Sequence, residues 1–246
     1  MKNKLNLTNI RLAATQLSNS TDEQRDLFLK SLAKILLKHQ EEITKANKVD
    51  INRSQKMGLS SAFLERLVLD KKGVKLLVSK LESIEKLHSN LGEVIEEKSE
   101  EKGLIIKKVR VPLGVIAVIY EARPEVTIDV AALCIKSGNA AILKGGSEAV
   151  ETNKVLYGCI LAALKESGFI KETISFISSS DRKIIDDLLK QHEHIDLVIA
   201  RGGYELVRRV LEKSTIPVLA HAAGGARIYV DKSADLSIAQ KVIINA

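Results

Sequence analysis

Val111-Pro-Leu-Gly-Val-Ile-Ala-Val-Ile-Tyr-Glu-Ala-Arg-Pro-Glu-Val-Thr-Ile-Asp-Val-Ala-Ala-Leu-Cys-Ile-Lys-Ser-Gly-Asn-Ala-Ala-Ile-Leu-Lys-Gly-Gly-Ser-Glu-Ala149 is the stretch on which the fold turns. Its first apolar run, Val115 to Ile119, has no polar alternation, which is the signature of a strand covered on both faces rather than on one. A helical pattern follows over roughly Val126 to Lys136, and a second apolar run, Ala140 to Leu143, comes after it. Strand, helix and strand within this length are a crossover unit, and a crossover is what makes two neighbouring strands parallel.

The same alternation continues downstream. A helix over about Glu148 to Glu166 leads to Ile174 to Ile177, a helix from Asp181 leads to Leu197 to Ala200, and a helix from about Gly203 leads to Val218 to Ala220. Ile228 to Val230 reads as a further run, and a last helix starts at Ala234. The fold class predicted is α/β: a doubly wound parallel sheet with helices on both faces. Upstream, Leu5 to about Leu87 is helical in character. Thr21 or Ser20 caps a helix bearing Phe28, Leu32, Ile35, Leu36 and Ile43, and Asp70 opens one bearing Val74, Leu77, Val78, Leu81, Ile84 and Leu87. Residues 92–110 are polar and then alternating (Leu104, Ile106, Val109), as in an exposed hairpin or arm. The organisation expected is an N-terminal helical segment, 1–90, packed on a dinucleotide-binding domain, 111–246, with the arm at 91–110 between them.

Composition narrows the function classes. The chain has 246 residues, 45% of them hydrophobic, and a net charge of +7. That charge raises the question of nucleic acid, but Lys and Arg alternate with Asp and Glu along helical faces, and with no Trp, four Tyr and four Phe there is little to stack on bases. Nucleic acid is therefore not the expected partner. The apolar runs fall far below the roughly 18 residues of a membrane span, and no export signal is visible, so the expected location is the cytoplasm. Cys134 and Cys159 lie at apolar helical positions without a CxxC spacing, which suits buried, inert thiols and neither a disulfide nor a zinc site. His192-Glu193-His194 has a metal-like look, but its spacing near a helix end reads as exposed polar residues.

Ligands of doubly wound sheets bind beyond the carboxyl ends of the strands, so the strand-exit loops are the places to search. Neither GxGxxG nor GxxxxGK[ST] occurs, which removes the ordinary dinucleotide and P-loop signatures. Three exits are unusual nevertheless: Tyr120-Glu121-Ala122-Arg123-Pro124, Lys144-Gly145-Gly146-Ser147, and Arg201-Gly202-Gly203. The third opens a helix, whose unpaired N–H groups and partial positive charge attract an anion while Arg201 adds a fork of donors. The second offers Lys144 and a hydroxyl for a ribose or its phosphate. Taken singly, Gly-Gly after a strand is also a plain tight turn and Lys144 also a solvated lysine; recurrence along one sheet favours a phosphate-bearing nucleotide.

These residues, together with Asp196-Leu-Val-Ile-Ala-Arg-Gly-Gly203, Ser214-Thr-Ile-Pro-Val218 and Ile228-Tyr-Val-Asp231, closely resemble the gamma-glutamyl phosphate reductases, also called glutamate-5-semialdehyde dehydrogenases, of the aldehyde dehydrogenase superfamily. The resemblance spans essentially the whole chain. It implies an NADPH-dependent reduction of gamma-glutamyl phosphate to glutamate 5-semialdehyde and phosphate in proline synthesis, through a cysteine thioester. It also implies that Lys144, Gly145, Gly146 and Ser147 lie by the adenosine ribose and its phosphate, and that Arg201, Gly202 and Gly203 lie by the pyrophosphate. Glu121, Arg123 and Pro124 would border the nicotinamide and substrate, and a homo-oligomer is implied for the full-length form.

There are departures. Glu125 stands where the family commonly has Asn, and Ala220-His-Ala-Ala-Gly-Gly-Ala-Arg227 replaces its usual glycine-rich stretch with Cys-His, so no role is carried to that loop. The family's nucleophilic cysteine comes after the segment matching Asn245-Ala246, and neither Cys134 nor Cys159 aligns with it. No catalytic residue is therefore expected in this chain, nor a catalytic domain. The last helix runs Leu236, Ile238, Ala239, Val242, Ile243 without a Gly or Pro stop; it either docks in the core or belongs to a truncated chain. A fragment, a truncated product, another aldehyde dehydrogenase and an inactive paralogue that pairs with a complete subunit all stay open.

Overall fold

The computed structural model describes residues 5–100, 103–179, 182–220 and 227–245. Its N-terminal part is helical: α1 (Leu7–Ser18), α2 (Asp22–Lys38), α3 (Gln40–Lys56), α4 (Ser61–Leu67) and α5 (Lys71–Glu85). The caps are those the local chemistry demands. Thr21 accepts from Gln24 N while the Gln24 side chain accepts from Thr21 N, a complete capping box, and Asp70 accepts from Gly73 N at 2.8 Å. One expected stripe is broken. Phe28 to Leu36 belong to α2 but Ile43 to α3, because the chain turns at His39, which ends one helix and begins the next, so that α2 packs on both α5 and α7 (Val150–Glu166) and α3 on α7. Leu87 also departs: α5 stops at Glu85 and Leu87 is exposed.

Strands β1 (Val94–Ser99) and β2 (Ile105–Val109) form an antiparallel hairpin that joins no other strand, and every residue in them is exposed. The main sheet follows: β3 (Val115–Tyr120), α6 (Glu125–Lys136), β4 (Ala140–Lys144), a short helical turn (Ser147–Ala149), α7, β5 (Ile174–Phe176), α8 (Arg182–Leu188), β6 (Leu197–Arg201), α9 (Tyr204–Lys213), β7 (Val218–Ala220) and α10 (Leu236–Asn245). All five of its strands are parallel, in the order β5-β4-β3-β6-β7. The chain winds outward from β3 in one direction and then returns to β3's other side with β6, which makes the β3/β6 boundary the switch point of a doubly wound sheet.

Both faces are covered, which is why β3 is apolar at every position. Ile116, Val118 and Tyr120 face the cluster built with α2, α5, α6 and α7, while Val115, Ala117 and Ile119 face one that includes Ile10 and Ala14 of α1, Leu188 of α8 and Val207 and Val210 of α9. At the amino edge of the sheet, Asp196 accepts from Val115 N at 2.7 Å and pairs with both terminal nitrogens of Arg11, tying α1 to the sheet. Gly114, with φ of 120°, lies where any Cβ would strike that carboxylate.

Ile228 to Val230 are exposed and form no strand, since among the described residues the run has no strand to pair with. The expected glycine-rich replacement at 221–226 and the helix start at Asp181 lie outside the described residues. α10 forms as expected, but none of its residues is buried, so it does not dock in the core. Among the described residues no helix is long and apolar enough to cross a membrane.

Candidate functional site

The three loops singled out in the sequence leave three adjacent strands on the same edge of the sheet. In the register, Ile119 lies opposite Lys144 and Tyr120 opposite Arg201, so the exits of β4, β3 and β6 stand side by side. Glu121 N extends the ladder by donating to Arg201 O at 3.2 Å. The next residue, Ala122, has φ of 52°, a left-handed conformation that L-residues seldom adopt, and it turns the chain into Arg123-Pro124 and α6. Pro124 is the cap of α6, where its fixed φ is suited and its missing N–H is no loss.

The N-terminus of α9 already holds an anion. Gly203 N donates to the Glu121 carboxylate at 2.8 Å, and the helix dipole supports that charge. A Cβ at Gly202 would collide with that same carboxylate and with Leu206, so the space over this glycine is filled by Glu121. Arg201 is exposed and its side chain makes no hydrogen bond or ion pair among the described residues. Arg123 lies 3.7 Å from Glu125, whose carboxyl is raised from its ordinary pKa by burial, with Arg123 opposing the shift.

The β4 exit is closely packed. Lys144 is buried rather than solvated, and its Nζ donates to Gly145 O at 2.5 Å. Burial lowers its pKa, and the nearby Glu148 carboxylate opposes that shift. Glu148 accepts from Ala122 N at 2.5 Å, which links the β4 exit to the β3 exit and explains Gly146, where a Cβ would run into Glu148. Gly145 is equally constrained, by Asn153 and the Tyr120 ring. Beneath it, Tyr120 OH and Thr127 Oγ1 lie 2.6 Å apart and Thr127 Oγ1 donates to Asn153 Oδ1 at 2.8 Å, leaving Asn153 Nδ2 buried without a partner among the described residues. Burial raises the Tyr120 pKa well above its usual range. Ser147 is exposed at the start of the turn.

Two residues of the helical segment complete the site, and the sequence held no local signal for either. Asp50, fully buried in α3, accepts from Thr152 N at 2.8 Å, Thr152 Oγ1 at 2.7 Å and Glu151 N at 3.3 Å. It thereby caps α7, whose own cap residue, Ala149, has no side chain for the task. Arg53 pairs with Asp50 and donates to the carbonyls of Ser147 at 3.0 Å and Glu148 at 3.2 Å. Arg53, Met57, Leu59, Phe63, Glu121, Ser147 and Glu148 line a cavity of about 510 Å³, on the scale of a cofactor site. His192 and Glu193 are exposed as expected but His194 is half-buried, packed in as the chain turns toward the buried Ile195, and no metal-binding cluster occurs among the described residues.

A profile of the aldehyde dehydrogenase family matches residues 6–246. The chain belongs to that family. It is 41% identical over 238 residues to a gamma-glutamyl phosphate reductase from Clostridium kluyveri, an alignment covering 97% of this chain and 57% of the relative. The crystal structure of gamma-glutamyl phosphate reductase from Thermotoga maritima superposes with a TM-score of 0.90 at 37% identity, over 97% of this chain and 58% of that one. The Saccharomyces cerevisiae reductase superposes with a TM-score of 0.82 at 34% identity, over 97% and 61%. This member of the aldehyde dehydrogenase family thus spans little more than half the length of the relatives it matches.

Proposed function

We propose that this chain is the nucleotide-binding part of an NADPH-dependent gamma-glutamyl phosphate reductase, which reduces gamma-glutamyl phosphate to glutamate 5-semialdehyde and phosphate in proline synthesis. Residues 111–246 form the dinucleotide-binding unit and 1–90 pack on it. The observation that carries the reading is the meeting of the Lys144, Glu121 and Arg201-Gly-Gly loops at the switch point, with a helix N-terminus there that already accepts a carboxylate. The donor set fits a dinucleotide. Gly203 N and the exposed Arg201 guanidinium, which has no partner among the described residues, would hold the pyrophosphate, with Gly202 keeping the approach free of a side chain once Glu121 withdraws. Lys144, Gly145, Gly146 and Ser147 would face the adenosine ribose and its phosphate. Glu121, Arg123 and Pro124 would lie toward the nicotinamide and the substrate, and Glu125 sits beside them.

When bound, the cofactor supplies a hydride; what this chain contributes is binding and orientation. The thiolate that attacks the acyl phosphate is neither of its cysteines. Burial pushes the Cys134 thiol up to about 12 and Cys159 up to about 11, so both are protonated and shielded at neutral pH. On this reading the chain's own contribution is cofactor binding, in the cytoplasm and within a homo-oligomeric reductase, and neither Cys134 nor Cys159 is the nucleophile. The test is a fluorescence or calorimetric titration of the chain with NADPH. Saturable binding weakened about tenfold or more by Arg201→Ala or Lys144→Ala is expected, since each removes a charge-assisted hydrogen bond. No binding at millimolar NADPH would sink the reading.

A further inference from the structure

We propose that Arg53, from the helical segment, is a specificity-determining residue that receives the ribose phosphate by which NADPH differs from NADH; this rests on the nucleotide reading above. Each carboxylate around the cavity has its own cationic or N–H partner. Glu121 is held by Gly203 N at the start of α9, Glu148 is held by Ala122 N and has Lys144 near it, and Asp50 shares its charge with the two N–H groups and the hydroxyl at the start of α7.

Arg53 differs from all of them. The three hydrogen bonds it makes, to Asp50, Ser147 O and Glu148 O, leave through Nη2 alone, so among the described residues Nε and Nη1 have no acceptor. Its side chain remains 37% exposed and lines the cavity next to Ser147. A guanidinium fixed on one side and open on the other is a preorganised receptor for a tetrahedral oxyanion, because its rotamer is already set and its remaining donors form a fork. Met57, Leu59 and Phe63 line the same cavity and offer an apolar surface beside that fork. Selectivity follows from the charge: a phosphate gains a charge-assisted pair there, whereas a ribose hydroxyl gains an ordinary hydrogen bond at most.

The experiment is a titration of the 246-residue chain with NADPH, NADH, adenosine 2′,5′-bisphosphate and AMP, for the wild type and for Arg53→Met and Arg53→Lys. Binding is read by fluorescence or calorimetry, and folding of each variant by circular dichroism. Arg53→Met is expected to weaken NADPH and the bisphosphate by about tenfold or more while changing NADH and AMP by less than about twofold, with partial rescue by Arg53→Lys. Equal losses for phosphorylated and unphosphorylated ligands would overturn the inference in favour of a merely structural arginine, and no loss would overturn it outright. If Arg53→Met unfolds, Arg53→Gln takes its place: a selective loss for NADPH and the bisphosphate supports the inference, and unchanged discrimination between the bisphosphate and AMP overturns it. A wild-type chain that binds neither dinucleotide overturns the cofactor reading and this inference together, whereas binding of NADPH and NADH with equal affinity overturns this inference alone.

Discussion

Asp50→Ala is the most telling perturbation of the scaffold, because Asp50 joins the helical segment to the sheet beneath the candidate site. The side chain is fully buried and accepts from Thr152 N at 2.8 Å, from Thr152 Oγ1 at 2.7 Å and from Glu151 N at 3.3 Å. Removing it deletes the only side-chain cap on α7 among the described residues, worth about 1 kcal/mol. It also strands the Thr152 donors in the interior, which costs roughly 1–3 kcal/mol more. Arg53 loses its carboxylate as well, but water reaches that side chain, so its share is small. The sum is about 3 kcal/mol, equivalent to a fall in Tm of about 6–12 °C for a chain of this size. Asp50→Asn keeps one acceptor oxygen and is expected to lose about half as much. Thermal melts followed by circular dichroism, with urea titrations to check that the m-value is unchanged, make the measurement. An alanine variant melting within about 1 °C of the wild type would refute the reasoning, since it would mean that α7 starts as well without Asp50 as with it.

Three further outcomes follow from the placement of particular side chains. Glu121→Gln removes a negative charge from the N-terminus of α9, where the carboxylate competes with an incoming phosphate, so NADPH should bind about three- to tenfold more tightly; weaker binding in the titration would show that Glu121 supports the ligand instead. The buried thiols should resist a thiol-labelling reagent at pH 8 in the folded chain and react only on unfolding, and rapid labelling without unfolding would contradict their placement. Linkage gives the matching pH effect. Both folded-state pKa values, about 12 for Cys134 and about 11 for Cys159, lie above the ordinary 9.0, so their contribution to stability is complete below pH 9.0 and is lost as pH rises toward those values. A stability curve flat through that window would count against deep burial.

How far the sequence carries can be judged from particular residues. β3 was legible because burial on both faces removes the period-two alternation, leaving Val115 to Ile119 apolar throughout. The helix starts at Thr21, Asp70 and Gly203 were legible because caps are local chemistry. Ile228 to Val230 misled because an apolar run of strand-forming residues becomes a strand only where a partner edge exists, whereas the helix of α10 was legible although its apolar stripe shows that a face can be buried without showing what buries it.

The amino-acid sequence by itself determined the parallel α/β architecture, the three strand-exit loops and the family likeness, since all of these are written in short-range patterns and motifs. Only the tertiary structure decided which carboxylate rests on which helix. Glu121 reaches Gly203 across 82 positions, and Asp50 reaches Thr152 across 102. The same holds for the candidate site, which Arg53 and Glu148 join, and for Lys144, whose burial its own loop does not announce. The physical reason is that side-chain pairing at such separations depends on strand order and on how helices from another part of the chain lie across the sheet. Those choices are made by the packing of the whole core, to which each residue's neighbours in sequence are nearly blind.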